Sequence, residues 1–345
     1  MFEAVILICA AAGAPCEEAL VPGFSAPTLS GCEAALTAGV DLPAWPGARV
    51  AGEPACREAG QMLEFREVSP GLFVHRGQIA EWNRENRGDM SNIAFVVGDS
   101  AVAVIDSGSA RWMGEAVLRS IRAVTDLPVT HAIVTHMHPD HALGARVLAA
   151  AGAKVVGHAA LDRALADRAA TYLERLSIQA GADVALGTGV APVDMAVEDV
   201  LRIDLGNREL EIRAWPLSHT GTDVTVLDRQ SGALIAGDLV FDTHAPSLDG
   251  SLVGWQAVTA DLVATDLTAV VPGHGTAWLD WPDGATAQAR YLDVLARDTR
   301  RAIRDGLPLS AAVDTIAGSE ADAWALFDVF NPRNATVAFT ELEWE

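Results

Sequence analysis

Thr135-His136-Met137-His138-Pro139-Asp140-His141 is the stretch on which the reading of this chain turns. It packs four candidate metal ligands into six residues, directly after the apolar run Ala132-Ile133-Val134. Side chains alternate with period two along an extended segment, which puts His136 and His138 on one face. The turn at Pro139 then swings Asp140 and His141 toward the same space. Imidazole nitrogens with a carboxylate oxygen suit a borderline-soft divalent ion such as zinc. At the exit of a buried strand, so many polar groups are costly to assemble without an ion to pair them. A metal site is expected here rather than a turn that is merely His-rich.

Outward from this run, apolar segments of strand and helix spacing alternate. Asn92–Val97 and Ala101–Asp106 flank Gly98-Asp99-Ser100 as a hairpin. Met113–Val124 has helical spacing and stops before Leu127-Pro128. After the ligand-bearing strand come a helix over Gly144–Ala151, a strand at Lys154–Gly157 and a helix over Ala159–Gln179. A second series begins near Glu198. Leu201–Leu205 and Leu210–Ala214 form a half-exposed hairpin around Gly206-Asn207, and strands follow at Val224–Asp228 and Ala233–Ala236. A buried strand at Thr268–Val271 lies between helices near Trp255–Thr265 and Ala285–Asp305. Both halves pass from β-rich to α-rich, so an α+β sandwich flanked by helices fits better than one doubly wound sheet.

Three more polar residues sit where these strands end. His219 lies between Ser218 and Thr220-Gly221-Thr222, Asp238 follows Gly237, and His274 stands between Gly273 and Gly275. Glycine beside a ligand lets backbone approach closely. Each residue alone is an ordinary strand-end group; the ordered set is the signal.

In that order the residues resemble the motifs of the metallo-β-lactamase superfamily: Asp106, His136-x-His138-x-Asp140-His141, His219, Asp238 and Gly273-His274-Gly275, over roughly residues 65–280. The resemblance implies an αββα sandwich with a dinuclear zinc site between its sheets, iron being the other candidate metal. His136, His138 and His219 would hold the first ion and Asp140, His141 and His274 the second, with Asp238 bridging them. Asp106 would orient a ligand without binding metal. Two such ions lower the pKa of a shared water and polarise the bond under attack, with Asp140 placed to orient the nucleophile or relay its proton. Asp rather than Cys at 238 departs from the main zinc β-lactamase subclass and resembles thioester, lactone and phosphodiester hydrolases, so antibiotic hydrolysis is not the first expectation.

A narrower resemblance lies outside these motifs. Phe330–Glu345, Gly237-Asp238-Leu239-Val240-Phe241, Asp249-Gly250-Ser251-Leu252-x-Gly254-Trp255 and the start around Pro22-Gly23-Phe24 are similar to the quinoprotein relay system zinc metallohydrolases. That implies a bacterial envelope protein working beside a quinoprotein dehydrogenase or cytochrome partner, with no substrate specified. The expected activity is hydrolysis of an ester-, thioester- or lactone-like bond. The alternatives are a mononuclear iron oxygenase of the persulfide type and a non-catalytic factor holding a quinone or a partner segment.

The 345 residues, 50% hydrophobic and 20% charged, allow a sizeable core. A net charge of −22 excludes a nucleic-acid or anionic-membrane surface, because both need clustered cations. All four cysteines (Cys9, Cys16, Cys32, Cys56) fall in the first 56 residues. Two disulfides in an oxidising compartment are favoured, with three connectivities open. Without a C-x-x-C pair, structural zinc is less favoured. Residues 1–60, rich in Pro and Gly, read as a small loop-rich Cys-containing module before a body of 61–345. Within it, residues 1–14 are either a cleaved signal with an atypical start or a first strand carrying Cys9; no stretch is long enough for a membrane span. The expected location is periplasmic or otherwise extracytoplasmic.

Other polar and aromatic residues are less decisive. His244 divides evenly between cleft and structural loop. Asn92 and Asn334 are expected in core hydrogen bonds before substrate contact, and His75, His131 and His158 in structural roles. Trp82, Trp112 and Trp255 are candidate cleft walls, with core packing as the ordinary alternative.

Overall fold

The computed structural model describes residues 1–11, 13–37, 39 and 41–345. Its first three strands, β1 (Phe2–Ala10), β2 (Cys16–Ala26) and β3 (Ala48–Glu58), form an antiparallel sheet with β1 in the middle. The expected loop-rich character of residues 1–60 is therefore corrected. The Pro and Gly residues that suggested loops sit where register shifts. Pairing jumps from Ser25 to Leu20 across Pro22-Gly23, and from Ala55 to Ala51 across Gly52 and Pro54. Extra residues of this kind bend an edge strand without ending it. Central β1 is buried almost continuously, so its apolar run shows no alternation to read. Disulfides join Cys9 to Cys16 across paired strands and Cys32 to Cys56.

This sheet is bonded to the rest of the chain by buried charges. Arg119 on the helix Arg111–Val124 pairs with Glu3 at 2.8 Å, and Arg111 pairs with Glu115 on the same helix. The Leu20 N–H donates to Glu115 Oε1, and Arg111 Nε donates to the Leu186 carbonyl.

The remaining strands make two sheets. The first has seven, in the order β10-β9-β8-β7-β6-β5-β4: β4 (Arg66–Ser69), β5 (Leu72–His75), β6 (Ile93–Val97), β7 (Val102–Ile105), β8 (Val129–Ile133), β9 (Lys154–His158) and β10 (Met195–Val197). Strands β7 to β10 run parallel, and the β6–β7 hairpin is antiparallel as expected. The second sheet has six strands in chain order: β11 (Val200–Asp204), β12 (Glu209–Ala214), β13 (Val224–Asp228), β14 (Ala233–Phe241), β15 (Ala269–His274) and β16 (Leu279–Asp280).

Alternation along the strands sorts the layers. Ala94, Val96, Ala103 and Ile105 turn inward onto Leu210, Ile212, Val226 and Ile235 of the second sheet. Ile93, Phe95, Val102 and Val104 turn outward onto Met113, Val117 and Ile121 of the helix Arg111–Val124. The other side of the second sheet is covered by the helices Leu252–Val263, Thr286–Arg304 and Phe327–Leu342. The result is the expected αββα sandwich. No helix among the described residues is long and apolar enough to cross a membrane.

A buried arginine links the two sheets. Arg208 meets Asp228 of the second sheet at 2.6 Å, while its Nη1 donates to the carbonyls of Pro70, between β4 and β5, and Val97, at the end of β6.

Candidate metal centre

All seven expected ligands converge where the two sheets end side by side. His136, His138, His219 and Asp238 offer donor atoms within 4.8 Å of one another, and so do Asp140, His141 and His274. The route to this arrangement differs in detail from the period-two expectation. Strand β8 stops at Ile133, and residues 134–138 run as a loop held by Val224 N–H donating to the Thr135 carbonyl and Met137 N–H to Thr222 Oγ1. Pro139 opens a short helical turn that presents Asp140 and His141.

Asp238 occupies a kink in β14 rather than its end. Pairing with β15 shifts on either side of Gly237, whose φ is +52°. A Cβ at Gly237 would stand 2.6 Å from Thr135 Oγ1, so glycine is what lets β14 press against the ligand-bearing loop. Gly273 plays the matching part on β15, packed against the backbone of Gly237 and Asp238.

Between the two ligand sets, the Asp238 carboxylate divides its oxygens. Its Oδ2 lies 3.6 Å from His136 Nε2 and 3.5 Å from His219 Nε2; its Oδ1 lies 3.1 Å from His141 Nε2 and 3.5 Å from His274 Nε2. Asp140 Oδ2 joins the second set at 3.4 Å from His141 Nε2 and 3.3 Å from His274 Nε2.

The far side of each ring is tied down. His141 Nδ1 lies 2.8 Å from Asp106 Oδ2, His219 Nδ1 2.5 Å from the Ser247 carbonyl, and His274 Nδ1 2.9 Å from the Met90 carbonyl. His136 Nδ1 is 3.1 Å from Thr135 Oγ1, whose hydroxyl donates to Asp106 Oδ2. His138 is reversed, with Nδ1 inward and Nε2 3.3 Å from Asp249 Oδ2. Such outer bonds fix the tautomer and aim the inner nitrogens. Asp106 does this from a left-handed backbone, φ +62°, a conformation costing about 1–3 kcal/mol in a non-glycine residue.

Inside the cluster, His136 Nε2, His141 Nε2 and Asp238 Oδ1 are buried without a hydrogen-bond partner. An unsatisfied buried polar atom costs about 1–3 kcal/mol, so three in one spot call for a missing partner. The charges give the same indication. Burial opposes ionisation of His141, yet Asp238, Asp140 and Asp106 together raise its pKa well above the usual imidazole range. Burial likewise opposes a charged His274, and Asp238 and Asp140 lift it to about 9. Burial would raise both ligand carboxyls, but the imidazoles, His141 first, hold Asp140 and Asp238 well below the carboxylate range. His136 is pushed well down by burial and then by His141. Asp140 and Asp238 thus place negative charge beside the unpartnered atoms. The residues fit a bound divalent cation.

Beside the cluster opens a cleft of about 490 Å³, walled by the helix Leu161–Gln179 on one side and Phe330, Arg333 and Val337 on the other. Trp82 lines it. Trp112 does not, its Nε1 donating to the Arg87 carbonyl, and Trp255 is core, its Nε1 bonded to the Leu239 carbonyl. His244 is a cleft residue, its ring 4.8 Å from that of His274, and burial followed by His274 lowers its pKa to about 4.

Asn92 and Asn334 are core hydrogen-bonders, as expected. Asn92 Nδ2 donates to the carbonyls of Pro272 and Thr276, its N–H to that of Gly273; Asn334 Nδ2 donates to Pro246, and its Oδ1 accepts from Leu248 N–H. His75 pairs with Asp89 at 2.8 Å, His131 meets its neighbour Thr130 at 2.9 Å, and His158 Nδ1 accepts from Ala160 N–H. In the sequence, Asp249 and Thr222 stand within the quoted runs without their hydrogen bonds to His138 and to Met137 N–H being assigned, while Ser247, two residues before Asp249, and the arginines of the cleft wall were missed.

A two-sheet sandwich with a His/Asp cluster buried where both sheets end defines a metal-site protein of the αββα class. A family model described as the metallo-beta-lactamase superfamily matches residues 86–281, more than half of the chain, and the chain belongs to that superfamily. A metallo-beta-lactamase from Pontibacter korlensis is 21% identical over 67% of this chain and 99% of its own, with a TM-score of 0.54. The sec-alkylsulfatase Pisa1 from Pseudomonas sp. is 16% identical over 81% of this chain and 50% of its own, with a TM-score of 0.63. Similarity at this level carries the fold and leaves the reaction open. A comparison with curated proteins finds no match.

Proposed function

We propose that this chain is a dinuclear zinc-dependent hydrolase of an ester-, thioester- or lactone-like bond, working in the periplasm or another extracytoplasmic compartment. The observation that carries this reading is the divided Asp238 carboxylate, one oxygen toward His136 and His219 and the other toward His141 and His274, amid buried atoms without partners. His136, His138 and His219 would hold one ion, Asp140, His141 and His274 the other, and Asp238 would bridge. Ions held there would acidify a water molecule and polarise the bond it attacks. Asp140, kept ionised by His141 and His274 against its burial, is the group to orient that water and take its proton. Asp106 holds His141, while the Ser247 and Met90 carbonyls hold His219 and His274, so the inner nitrogens stay aimed without reorganisation.

An oxygen donor at 238 supports esters, thioesters and lactones over β-lactams. The two disulfides support an oxidising compartment. Association with a quinoprotein dehydrogenase rests on the resemblance of the tail and of the runs at 237–241 and 249–255. On this reading residues 1–60 are a Cys-containing module and 61–345 the hydrolase body.

The test is elemental analysis of protein purified with added zinc, paired with turnover on ester, thioester and lactone substrates. About two zinc ions per chain are expected, and Asp140→Ala should abolish turnover while leaving the circular dichroism spectrum unchanged. Less than one ion per chain would sink the dinuclear reading. Iron with oxygen uptake and no hydrolysis would transfer the site to the oxygenase class.

A further inference from the structure

Resting on the hydrolase reading, the charge inventory of the cleft deepens it. In a chain of net charge −22, three arginines, Arg168, Arg175 and Arg333, line the cleft beside the metal centre. Arg168, Thr171, Tyr172, Arg175 and Gln179 recur at helical spacing, so a single face of the helix Leu161–Gln179 forms this wall.

The carboxylates of the same cleft are nearly all engaged. Asp140 and Asp238 belong to the ligand cluster. Asp249 lies 3.3 Å from His138 Nε2, Asp167 is 3.0 Å from Arg163 on the preceding turn, and Glu81 is 3.5 Å from Arg333. Arg333 also lies over the Phe330 ring at 5.5 Å. Arg168 keeps only a loose contact with Asp249, at 3.9 Å. Arg175 forms no ion pair among the described residues. Two guanidinium groups, two helical turns apart, thus face the cleft with little or no anion of their own. Between them Tyr172 is buried, and the same cleft is lined by Asp140 of the ligand cluster. On the opposite wall Trp82, Phe330 and Val337 supply apolar surface beside Arg333, which is occupied by Glu81.

We propose that the cleft takes substrates with an apolar body and an oxyanion tail, a carboxylate for preference, held by Arg175 with Arg168 while the scissile bond lies at the metal centre. A guanidinium offers paired donors that match a carboxylate edge to edge, with Arg168 half-buried and Arg175 open to solvent at the cleft. Neutral substrates of the same length would leave both cations without a partner.

The experiment uses the full zinc-loaded chain with two matched probes, the mono-p-nitrophenyl ester of glutaric acid and p-nitrophenyl valerate. The wild type should prefer the anionic ester in kcat/KM by about tenfold or more, the size expected of charge-assisted hydrogen bonds. In Arg168→Gln/Arg175→Gln that ratio should collapse toward one, chiefly through KM, and Arg175→Lys should restore part of it. Binding of glutarate itself, followed by calorimetry, separates this inference from the hydrolase reading. If no ester is turned over but glutarate binds about tenfold or more weaker to the double variant, the hydrolase reading fails and the anion site stands. Equal glutarate affinity in wild type and double variant, or no preference for the anionic ester in an active wild type, overturns the inference.

Discussion

Gly273→Ala isolates the steric requirement behind the bridging carboxylate. A Cβ at Gly273 would sit 2.8 Å from the Gly237 carbonyl carbon and 2.9 Å from Asp238 N, and closer still to Asp238 Oδ1. Against an optimal carbon–carbon separation of about 3.5–4.0 Å, the overlap is roughly 1 Å. The clash falls on backbone and on a fully enclosed carboxylate, so no flexible side-chain tip can yield. Asp238 has to withdraw from one or both ligand sets. A shift of that size in a supporting group typically costs about 10–100-fold in metal affinity, and more in turnover if the reacting geometry is lost. The assay is zinc competition with a chromophoric chelator, together with metal content per chain. Gly221→Ala is the control, since its added Cβ meets only Leu217 Cδ1, at 3.6 Å. The expected result is weakened binding of at least one ion in Gly273→Ala, and wild-type behaviour in the control. Equal stoichiometry and affinity in both variants would refute the packing argument.

Three further outcomes follow from the same packing and charges. Asp106→Asn keeps a residue that tolerates the left-handed backbone but removes the charge facing His141 Nδ1, so zinc affinity should fall by about 10–100-fold with the far-ultraviolet spectrum unchanged. Asp228→Asn leaves the guanidinium of Arg208 buried without its counter-charge, and urea unfolding should report a loss of about 3–5 kcal/mol. Burial would lower the pKa of His75, but Asp89 raises it above 6.5, so the stability from this pair is fully present below about pH 6.5 and lost as pH rises through the folded value. In Asp89→Asn an NMR titration should show the His75 pKa falling, and a rise or no change would contradict the pairing.

The metal centre was legible because its ligands are local or punctuated. Four lie in one run of seven residues, Asp238 and His274 adjoin glycines, and His219 stands in the loop between two clear strands. Asp238 shows the limit of that legibility. Its strand continues to Phe241, and only the shifted pairing at Gly237 reveals that the ligand leaves from a kink. The helix Phe327–Leu342 escaped periodicity because Pro332 lies inside it and both its Asn331 and Asn334 are buried in hydrogen bonds to Tyr291. Arg168 and Arg175 read in sequence as ordinary solvated charges of a long helix. What distinguishes them is the pairing of their acidic neighbours with other partners, a property of three dimensions.

The two kinds of cross-link occupy separate parts of the chain. Both disulfides close short loops, of 7 and 24 residues, within the first 56 residues: Cys9–Cys16 joins two strands, and Cys32–Cys56 ties the helix Leu29–Leu36 to β3. The second ligand set joins Asp140 to His274, and an ion bound there would close a loop of 134 residues (274 − 140) through a cysteine-free body. Loop-closure entropy grows with the logarithm of length, so such a clasp restrains the unfolded chain more than either disulfide does. With that ion bound, the molecule would carry two fastenings that open to different reagents, a thiol for the N-terminal disulfides and a chelator for the sandwich.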